Sequence, residues 1–324
     1  MILPRIGLGC MELSHAYGVA PSPEDGERML RAALDAGVRH LDTATLYGGG
    51  RNEELVGRAL RGRRDDALVA SKGGMAMVDG VKTIDGRPET LRAQVDASLG
   101  RLGVERIDLY YLHRWDKSVP IGESVGALAD AVAAGKIGAI GLSEVSVARL
   151  HEALAVGPIA AVQNEYSLWS RNPELGILEA TREAGVALVA FSPVARGFLA
   201  GAVEDPEALA PKDIRRGMPR FQSDHWPANA ALLPAWRALA VEAGCTPAQL
   251  ALAWVLSRGP HVTAIPGTTS LAHALENESV VSLSIDSALL ERAGALIDTA
   301  TVSGGRYNAA QSAEVDAESF EDAA

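Results

Sequence analysis

The stretch from residue 107 to residue 142 reads IDLYYLHRWDKSVPIGESVGALADAVAAGKIGAIGL and contains one complete strand–helix–strand unit. A continuous apolar run over 107–112 predicts a buried strand, and the helix-like segment 122–134 is closed by Gly135. A second apolar run over 137–142 predicts the next strand. Because a helix joins the two strands, we expect them to lie parallel in one sheet.

The same alternation of strand and helix continues along the chain in both directions from this unit. We predict further strands near 5–9, 38–42, 67–71, 159–163, 186–191 and 262–265, and helices near 24–36, 52–61, 88–101, 146–155, 173–184, 229–257 (two helices) and 271–277. Eight strands are the number that closes a (β/α)₈ TIM barrel, and a doubly wound open sheet is the alternative. Since Gly7-Leu8-Gly9 is not followed by the third glycine of a GxGxxG fingerprint, the barrel is favoured.

The chain is predicted to form a single α/β domain over residues 1–308, followed by a mobile acidic tail over 309–324. The tail is inferred from its Glu and Asp content and its lack of periodicity. Residues 195–228, rich in Pro, Arg and Asp, form a predicted long βα loop, which in such folds usually covers an active site.

Composition and charge restrict the classes of partner. The apolar share of 48% supports a large core, and the net charge of −11 argues against nucleic acid or an anionic membrane as partner. Cys10 and Cys245 are far apart and fit a reducing compartment. With no signal sequence or apolar run of 18 residues, we predict a cytoplasmic protein, a monomer or homo-oligomer, without a metal site.

Four reactive side chains follow three successive predicted strands: Asp42, Tyr47, Lys72 and His113. All βα loops of a barrel open on one face, where active sites are built. Each residue alone has an ordinary explanation, such as a helix N-cap for the Asp or a structural role for the His. Their coincidence at three junctions predicts a shared site.

These four residue types fit proton transfer to a carbonyl oxygen. A free tyrosine has a pKa of about 10, and a cation beside its oxygen favours the phenolate. Lys72 is the predicted cation, with Asp42 as its counter-ion, and His113 orients the carbonyl. Since no side chain donates hydride, a cofactor must supply it.

Later strand ends offer groups for that cofactor. Ser143 and Gln163 are small polar residues suited to a carboxamide, and Phe191 either stacks on a nicotinamide ring or is a core aromatic. The segment 267–270 (GTTS) precedes a helix, where backbone N–H groups suit a phosphate. Ser270 is alternatively a plain helix N-cap, and both roles are compatible.

The sequence resembles the aldo-keto reductases, in particular the bacterial and plant branch, from about Leu3 to Asn308. The motifs that carry the resemblance are GLGCM (7–11), LDTA (41–44) with YG (47–48), NEELVG (52–57), SK (71–72), DLYYLH (108–113), IGLS (140–143), AFSP (190–193) and IPGT (265–268).

The resemblance implies a TIM barrel that binds NADP(H) and a catalytic tetrad of Asp42, Tyr47, Lys72 and His113, with Tyr47 as proton donor. Nicotinamide-site positions match Ser143, Gln163 and Phe191. Positions along the phosphates and adenosine match Ser192, Val194, Arg196, Gly267, Thr268, His273, Glu276 and Asn277, with Thr269 and Ser270 in the same stretch.

Two departures from the family pattern bear on the cofactor. Glu144 stands where many members have Asn, and Thr269-Ser270 stand where NADPH-selective members usually have Lys or Arg. His273 is then the only possible cation of that segment, so NADP(H) is favoured on family grounds and NAD(H) is possible.

The substrate is expected to be a small aldehyde, ketone or alcohol, with Tyr17, Trp115 and Trp169 as predicted pocket walls. The alternatives are an NAD-dependent sugar or alcohol dehydrogenase of the same fold, a cofactor-sensing binding subunit, and a phosphosugar isomerase or lyase. The last leaves Tyr47 and Phe191 without roles, and an intact tetrad argues against a pure binding protein.

Overall fold

The computed structural model describes residues 1–320. The strands of this part of the chain are β1 Leu8–Gly9, β2 His40–Asp42, β3 Leu68–Gly73, β4 Met75–Val78, β5 Val81–Ile84, β6 Leu109–Leu112, β7 Ile140–Ser143, β8 Ile159–Glu165, β9 Ala187–Phe191 and β10 Val262–Ile265. Its α-helices are α1 Pro23–Asp35, α2 Arg51–Leu60, α3 Pro88–Leu102, α4 Ile121–Ala133, α5 Val147–Leu154, α6 Ile177–Glu183, α7 Trp226–Ala230, α8 Leu233–Glu242, α9 Pro247–Leu256, α10 Leu271–Ser279, α11 Ser287–Leu296 and α12 Ala309–Ala313.

Eight of the strands form one parallel sheet in the order β1-β2-β3-β6-β7-β8-β9-β10. Its first and last strands meet at a seam, where the Gly7 amide donates to the Ala264 carbonyl at 2.9 Å and Gly9 pairs with Gly267. Because the sheet closes on itself, the prediction of a (β/α)₈ barrel is confirmed and the open sheet is excluded.

The barrel interior is filled by a small inner core that includes Ala70, Leu109, Tyr111, Ala161 and Val189. A much larger apolar layer lies between the sheet and the surrounding helices. With strands buried on both faces, the sequence shows continuous apolar runs instead of alternation, as expected for parallel sheets.

Local signals account for several helix ends. The Ser22 hydroxyl accepts from the Asp25 amide at the start of α1, and Thr246 forms a capping box with Gln249 at the start of α9. At the other end of α4, Gly135 adopts a φ of 74°, a left-handed conformation that glycine reaches without steric cost.

Several elements depart from the sequence prediction. β4 and β5 form an antiparallel hairpin after β3 that was not predicted. Its Asp79-Gly80 turn is a recognised hairpin signal in the sequence. The predicted helix over 173–184 is a 3₁₀ turn followed by α6, interrupted at Gly176. α11 was not predicted. Ala293 is its only buried residue, so its sequence shows only a weak apolar periodicity.

The predicted long loop over 195–228 is built from short 3₁₀ turns and the start of α7, and it reaches over the cavity described below. In the tail, residues 309–320 lie against the barrel: the Ser146 amide and hydroxyl both donate to Asp316. The boundary at residue 308 stays a prediction, and residues 321–324 of the predicted tail lie outside the described residues.

No single helix within residues 1–320 is long and apolar enough to cross a membrane; the bent pair Trp226–Glu242 and Pro247–Leu256 reaches that length only in combination.

Candidate active site

A cavity of about 800 Å³ opens at the carboxyl ends of the barrel strands, and three of the four predicted reactive residues line it. Asp42 is the last residue of β2, Tyr47 begins a 3₁₀ turn after that strand, and His113 directly follows β6. Lys72 is fully buried in β3, behind Tyr47 and outside the cavity lining. The barrel therefore gathers the four residues at one place.

Lys72 is the centre of the polar contacts. Its Nζ forms an ion pair with the Asp42 carboxylate, donates to the Thr43 carbonyl at 2.9 Å, and donates to the Tyr47 hydroxyl at 3.4 Å. Burial lowers the pKa of Lys72, but the charges of Asp42 and Tyr47 together raise it by more than burial lowers it. The pKa therefore lies above its ordinary value. The ammonium is therefore charged at neutral pH.

The phenol of Tyr47 carries two opposing influences. Burial raises its pKa, the Lys72 charge lowers it, and the net pKa lies above the ordinary value. Lys72 lowers the pKa of Tyr47, as predicted. The prediction that this pKa falls overall is wrong, because the effect of burial is larger than that of the Lys72 charge. The consequence is a phenol that holds its proton at neutral pH beside a cation able to stabilise the phenolate.

His113 faces Tyr47 edge-on, with ring centroids 5.8 Å apart. Burial lowers the pKa of His113 well below its ordinary range, and the charges of Arg114 and Lys72 lower it further. The imidazole is therefore neutral at physiological pH. A neutral imidazole can donate one hydrogen bond to a carbonyl oxygen without competing for its proton.

The predicted nicotinamide-site residues lie next to this group. Gln163 lines the cavity and donates to the second oxygen of Asp42 at 2.8 Å, which links the two halves of the site. Ser143 ends β7, and its hydroxyl accepts from Arg114 at 3.2 Å. Phe191 ends β9 and is partly exposed on the cavity wall, so it is not a purely internal core residue.

The far end of the cavity is formed by the segment after β10. Gly267, Thr268, Thr269, His273, Glu276 and Asn277 all line it, together with Ser192 and Val194 from the loop after β9. Ser270 does not line the cavity, because its hydroxyl accepts from the His273 amide as the N-cap of α10. Of the two predicted roles of Ser270, phosphate contact and helix N-cap, the structure shows the N-cap.

Arg196 also lines the cavity, but its guanidinium is already engaged. It forms an ion pair with Glu165 at 2.6 Å and donates to the hydroxyls of Tyr17 at 3.0 Å and Tyr307 at 3.3 Å. Its expected contact with a ligand phosphate therefore competes with a buried carboxylate of the chain. Tyr17 lines the cavity as predicted.

The predicted tryptophan walls need correction. Trp115 donates its indole N–H to the Val119 carbonyl at 2.8 Å and lies under Arg149, outside the cavity. Trp169 is 4% exposed and stacks on Phe198 with centroids 4.2 Å apart, so it belongs to the core under the long loop. Their positions after strands resemble those of pocket residues, but packing against neighbouring side chains turns both rings away from the cavity.

Several other cavity residues were not predicted. They include Glu12, His15, Met75, Lys82 and Arg114, with Tyr307, Gln311, Glu314 and Val315 from the C-terminal segment. Arg215 and Met218 also line the cavity, and they belong to the long loop over 195–228 that was predicted to cover the site. Arg114 had a usable signal, since it directly follows His113 at the same strand end. The C-terminal residues had none, because their approach depends on tertiary contacts.

Glu144 shows why the last segment returns to the site. Its side chain is fully buried with φ 55°, accepts from the Glu165 amide at 2.7 Å, and forms an ion pair with Arg306 at 2.6 Å. The carboxylate therefore holds the C-terminal segment and does not line the cavity. Glu144, which stands where many family members have Asn, therefore anchors the C-terminal segment through Arg306.

The whole cavity fits an extended ligand with a flat ring at one end and phosphates at the other. Phe191 offers an aromatic face beside polar Ser143 and Gln163. At the far end, a Cβ added to Gly9 would lie 2.9 Å from the Ile265 carbonyl, so glycine allows the end of β1 to pack closely against the end of β10. The Thr268 and Thr269 hydroxyls and the positive end of the α10 helix dipole suit phosphate oxygens.

Three comparisons with known proteins agree with this geometry. The sequence model of the Aldo/keto reductase family matches residues 5–315. The NADP(+) aldo-keto reductase yakc of Schizosaccharomyces pombe is 38% identical over 312 residues, which cover 94% of this chain and 92% of that protein. The glycerol dehydrogenase of Gluconobacter oxydans has a TM-score of 0.83 at 31% identity and covers 91% of both chains. An aldo-keto reductase of Klebsiella pneumoniae, in complex with NADP and acetate, has a TM-score of 0.70 at 27% identity, covering 97% of this chain and 95% of that one.

Proposed function

The chain belongs to the aldo/keto reductase family, and from that premise we propose that it is an NADP(H)-dependent oxidoreductase that interconverts an aldehyde or ketone with its alcohol. The observation that carries the proposal is the buried ion pair of Lys72 and Asp42 beside the Tyr47 hydroxyl. Such an arrangement has no structural benefit that an apolar pair would lack, since buried ion pairs rarely add stability.

In this proposal the cavity residues hold the cofactor and the substrate in a fixed order. Ser143 and Gln163 hold the carboxamide, Phe191 contacts the ring, and the segment 267–277 binds the phosphates. The bound nicotinamide supplies hydride to the carbonyl carbon. His113, as a neutral donor, orients the carbonyl oxygen next to Tyr47.

Tyr47 then gives its phenolic proton to that oxygen. The charge left on the phenolate is stabilised by Lys72, and Asp42 keeps Lys72 positive in a site without water access to its ammonium. The Gln163 bond to the other Asp42 oxygen fixes the carboxylate against Lys72. In the reverse direction Tyr47 takes the alcohol proton by the same contacts.

Tyr47→Phe tests the proton donor. We expect kcat for reduction of an aromatic aldehyde to fall by roughly 10²- to 10⁴-fold, the usual contribution of general acid catalysis, with little change in the Kd for NADPH. The decrease in absorbance of the reduced nicotinamide measures turnover. The matched control is Tyr110→Phe, which removes a buried phenol that contacts Ser98 outside the cavity. Retained turnover in Tyr47→Phe would assign the proton to another group.

Alcohol oxidation is the second candidate direction, and the likeness to a glycerol dehydrogenase favours it. Initial rates with NADP(+) and a polyol, compared with NADPH and an aldehyde, separate the two directions. The set of residues at the strand ends is the same for both directions, because the proton contacts are reversible.

The cofactor choice has its own test. In the segment 267–277, His273 is the only residue whose side chain can become positively charged. The Glu276 carboxylate, on the same cavity wall, accepts a hydrogen bond from the Thr246 hydroxyl. Thr269→Arg, which leaves the Ser270 cap of α10 intact, is expected to increase the affinity for NADPH relative to NADH by roughly 10-fold, since a charge-assisted hydrogen bond to a phosphate contributes about 1.5–3 kcal/mol. Fluorescence titration measures both Kd values; an unchanged ratio would place recognition of the 2′-phosphate elsewhere.

A cytoplasmic location also remains a proposal. It is supported by Cys10 and Cys245, which are both free thiols in the structure.

A further inference from the structure

Arg114 lines the cavity, and its charge acts on Tyr47, the proposed proton donor. Its Nη1 donates to the His113 carbonyl at 2.7 Å and to the Ser143 hydroxyl at 3.2 Å. These two bonds fix the guanidinium between the end of β6 and the end of β7. Its Nε is buried and has no hydrogen-bond partner among residues 1–320, and none of these residues accepts from Nη2.

Arg114 differs from the other arginines around the site because it has no carboxylate partner in the described part of the chain. Arg196 pairs with Glu165, Arg215 with Asp213, and Arg306 with Glu144. An uncompensated, partly buried guanidinium is costly unless an anion completes it. Its position at the cavity wall allows that anion to come from a ligand.

The charges around His113 leave one positive charge in excess at this end of the cavity. Arg114, Lys72 and Lys82 all lower the pKa of His113, after the larger effect of burial. Lys72 is neutralised by Asp42, and Lys82 pairs with Glu314 at 2.5 Å. Arg114 remains, in a chain whose net charge is −11.

We propose that the substrates of this site carry a carboxylate near the reacting carbonyl, and that Arg114 binds it. The inference rests on the proposed function, because the carbonyl is the group that Tyr47 and His113 receive. Arg114 is suited to the task since a guanidinium binds the two oxygens of a carboxylate in one plane. The Ser143 and His113 contacts hold it in position before the substrate arrives, which reduces the entropy lost on binding.

The test compares acids with neutral compounds of the same shape. The 2-, 3- and 4-carboxybenzaldehydes and their methyl esters vary the distance between the carboxylate and the carbonyl. We expect kcat/KM for at least one acid to exceed that of its ester by roughly 10- to 100-fold, as for a charge-assisted hydrogen bond. Arg114→Met should remove this preference, so that kcat/KM falls much more for the acid than for its ester, and Arg114→Lys should keep part of it. Arg92→Met, at an exposed residue of α3 paired with Asp130, is the control.

Two results would overturn the inference. One is a wild-type enzyme that turns over every ester as well as its acid. The other is an Arg114→Met variant that loses acid and ester turnover equally and binds NADPH more weakly, which would assign Arg114 to positioning Ser143 for the cofactor.

A binding measurement separates this inference from the proposed function. Benzoate, compared with benzamide, should raise the Tm of the wild-type protein and not that of Arg114→Met. If no aldehyde is reduced but benzoate protects through Arg114, the proposed function fails and the anion site stands. If aldehydes are reduced but benzoate protects both proteins equally, or inorganic phosphate protects the wild type better than benzoate does, the carboxylate site is wrong.

Discussion

Glu12 places a carboxylate where the ligand of this cavity is expected to carry phosphates. It lies in the 3₁₀ turn Met11–Leu13 and lines the cavity, and a Cβ added to Gly267 would lie 3.1 Å from its Oε1. Burial raises the pKa of Glu12, and the Arg215 charge lowers it in part, whereas Asp213 raises it. Tyr17 is the other titratable group in electrostatic contact with it.

This residue predicts a pH dependence of cofactor affinity. The protonated form of Glu12 does not repel a diphosphate, so affinity should be highest below the raised pKa and should weaken as pH rises through it. Glu12→Gln should bind more tightly at neutral pH and show a flatter profile. Fluorescence titration from pH 5 to 8 measures this, with NADH as the ligand because it lacks the titrating 2′-phosphate. Glu24→Gln, at an exposed residue of α1, is the control; an unchanged slope in Glu12→Gln would exclude Glu12 as the source.

At the scale of elements, the contact between α2 and the end of α3 depends on one glycine. A Cβ added to Gly57 would lie 2.5 Å from the Leu102 carbonyl oxygen and 2.8 Å from that of Arg101. Both obstacles are backbone atoms, which cannot rotate away. Gly100, on α3, has open space at the same test and provides a matched comparison.

Gly57→Ala is expected to lower the free energy of unfolding by roughly 1–3 kcal/mol through overpacking. Gly100→Ala should raise it by about 0.5–1 kcal/mol, because alanine loses less backbone entropy in a helix. Urea denaturation of both variants measures the difference. Equal stabilities would mean that α2 moves away from α3 without cost.

At the scale of the whole molecule, buried charges hold the C-terminal segment against strands β7 and β8 in the middle of the chain. Glu144 follows β7, Glu165 ends β8, and Arg306 lies between them, with ion pairs of 2.6 Å to Glu144 and 3.3 Å to Glu165. Burial lowers the pKa of Arg306, but the nearby carboxylates raise it above its ordinary value. The cavity walls at Tyr307 and Gln311 follow directly from this anchor.

Removing one partner should therefore be costly. Arg306→Met is expected to lower the free energy of unfolding by roughly 3–5 kcal/mol, because it leaves the buried Glu144 carboxylate uncompensated, whereas Glu165 keeps its ion pair with Arg196. Adding Glu144→Gln should recover part of that loss, since the second change removes the uncompensated charge. A double-mutant cycle by chemical denaturation measures the coupling; strictly additive effects would mean that the pair is not coupled.

The sequence was sufficient for those features that depend on local pattern. All eight barrel strands follow from apolar runs, and Asp42, Tyr47, Lys72 and His113 meet because barrel strand ends share one face. Features that depend on distant contacts were not accessible. The contacts of Arg196 with Glu165 and of Glu144 with Arg306 join residues far apart in sequence, and no local pattern distinguishes a buried partner from a free cation.

The seam between β1 and β10 has a consequence for synthesis of the protein. The Gly7 amide cannot form its hydrogen bond to the Ala264 carbonyl until about 257 further residues have been synthesised. At a translation rate of about 5–20 residues per second, that interval is roughly 13–51 s. During this time the nascent chain exposes the unpaired edges of its first and most recent strands. The barrel cannot close until Ala264 is available, and we therefore expect binding by a chaperone to be strongest just before Ala264 leaves the exit tunnel.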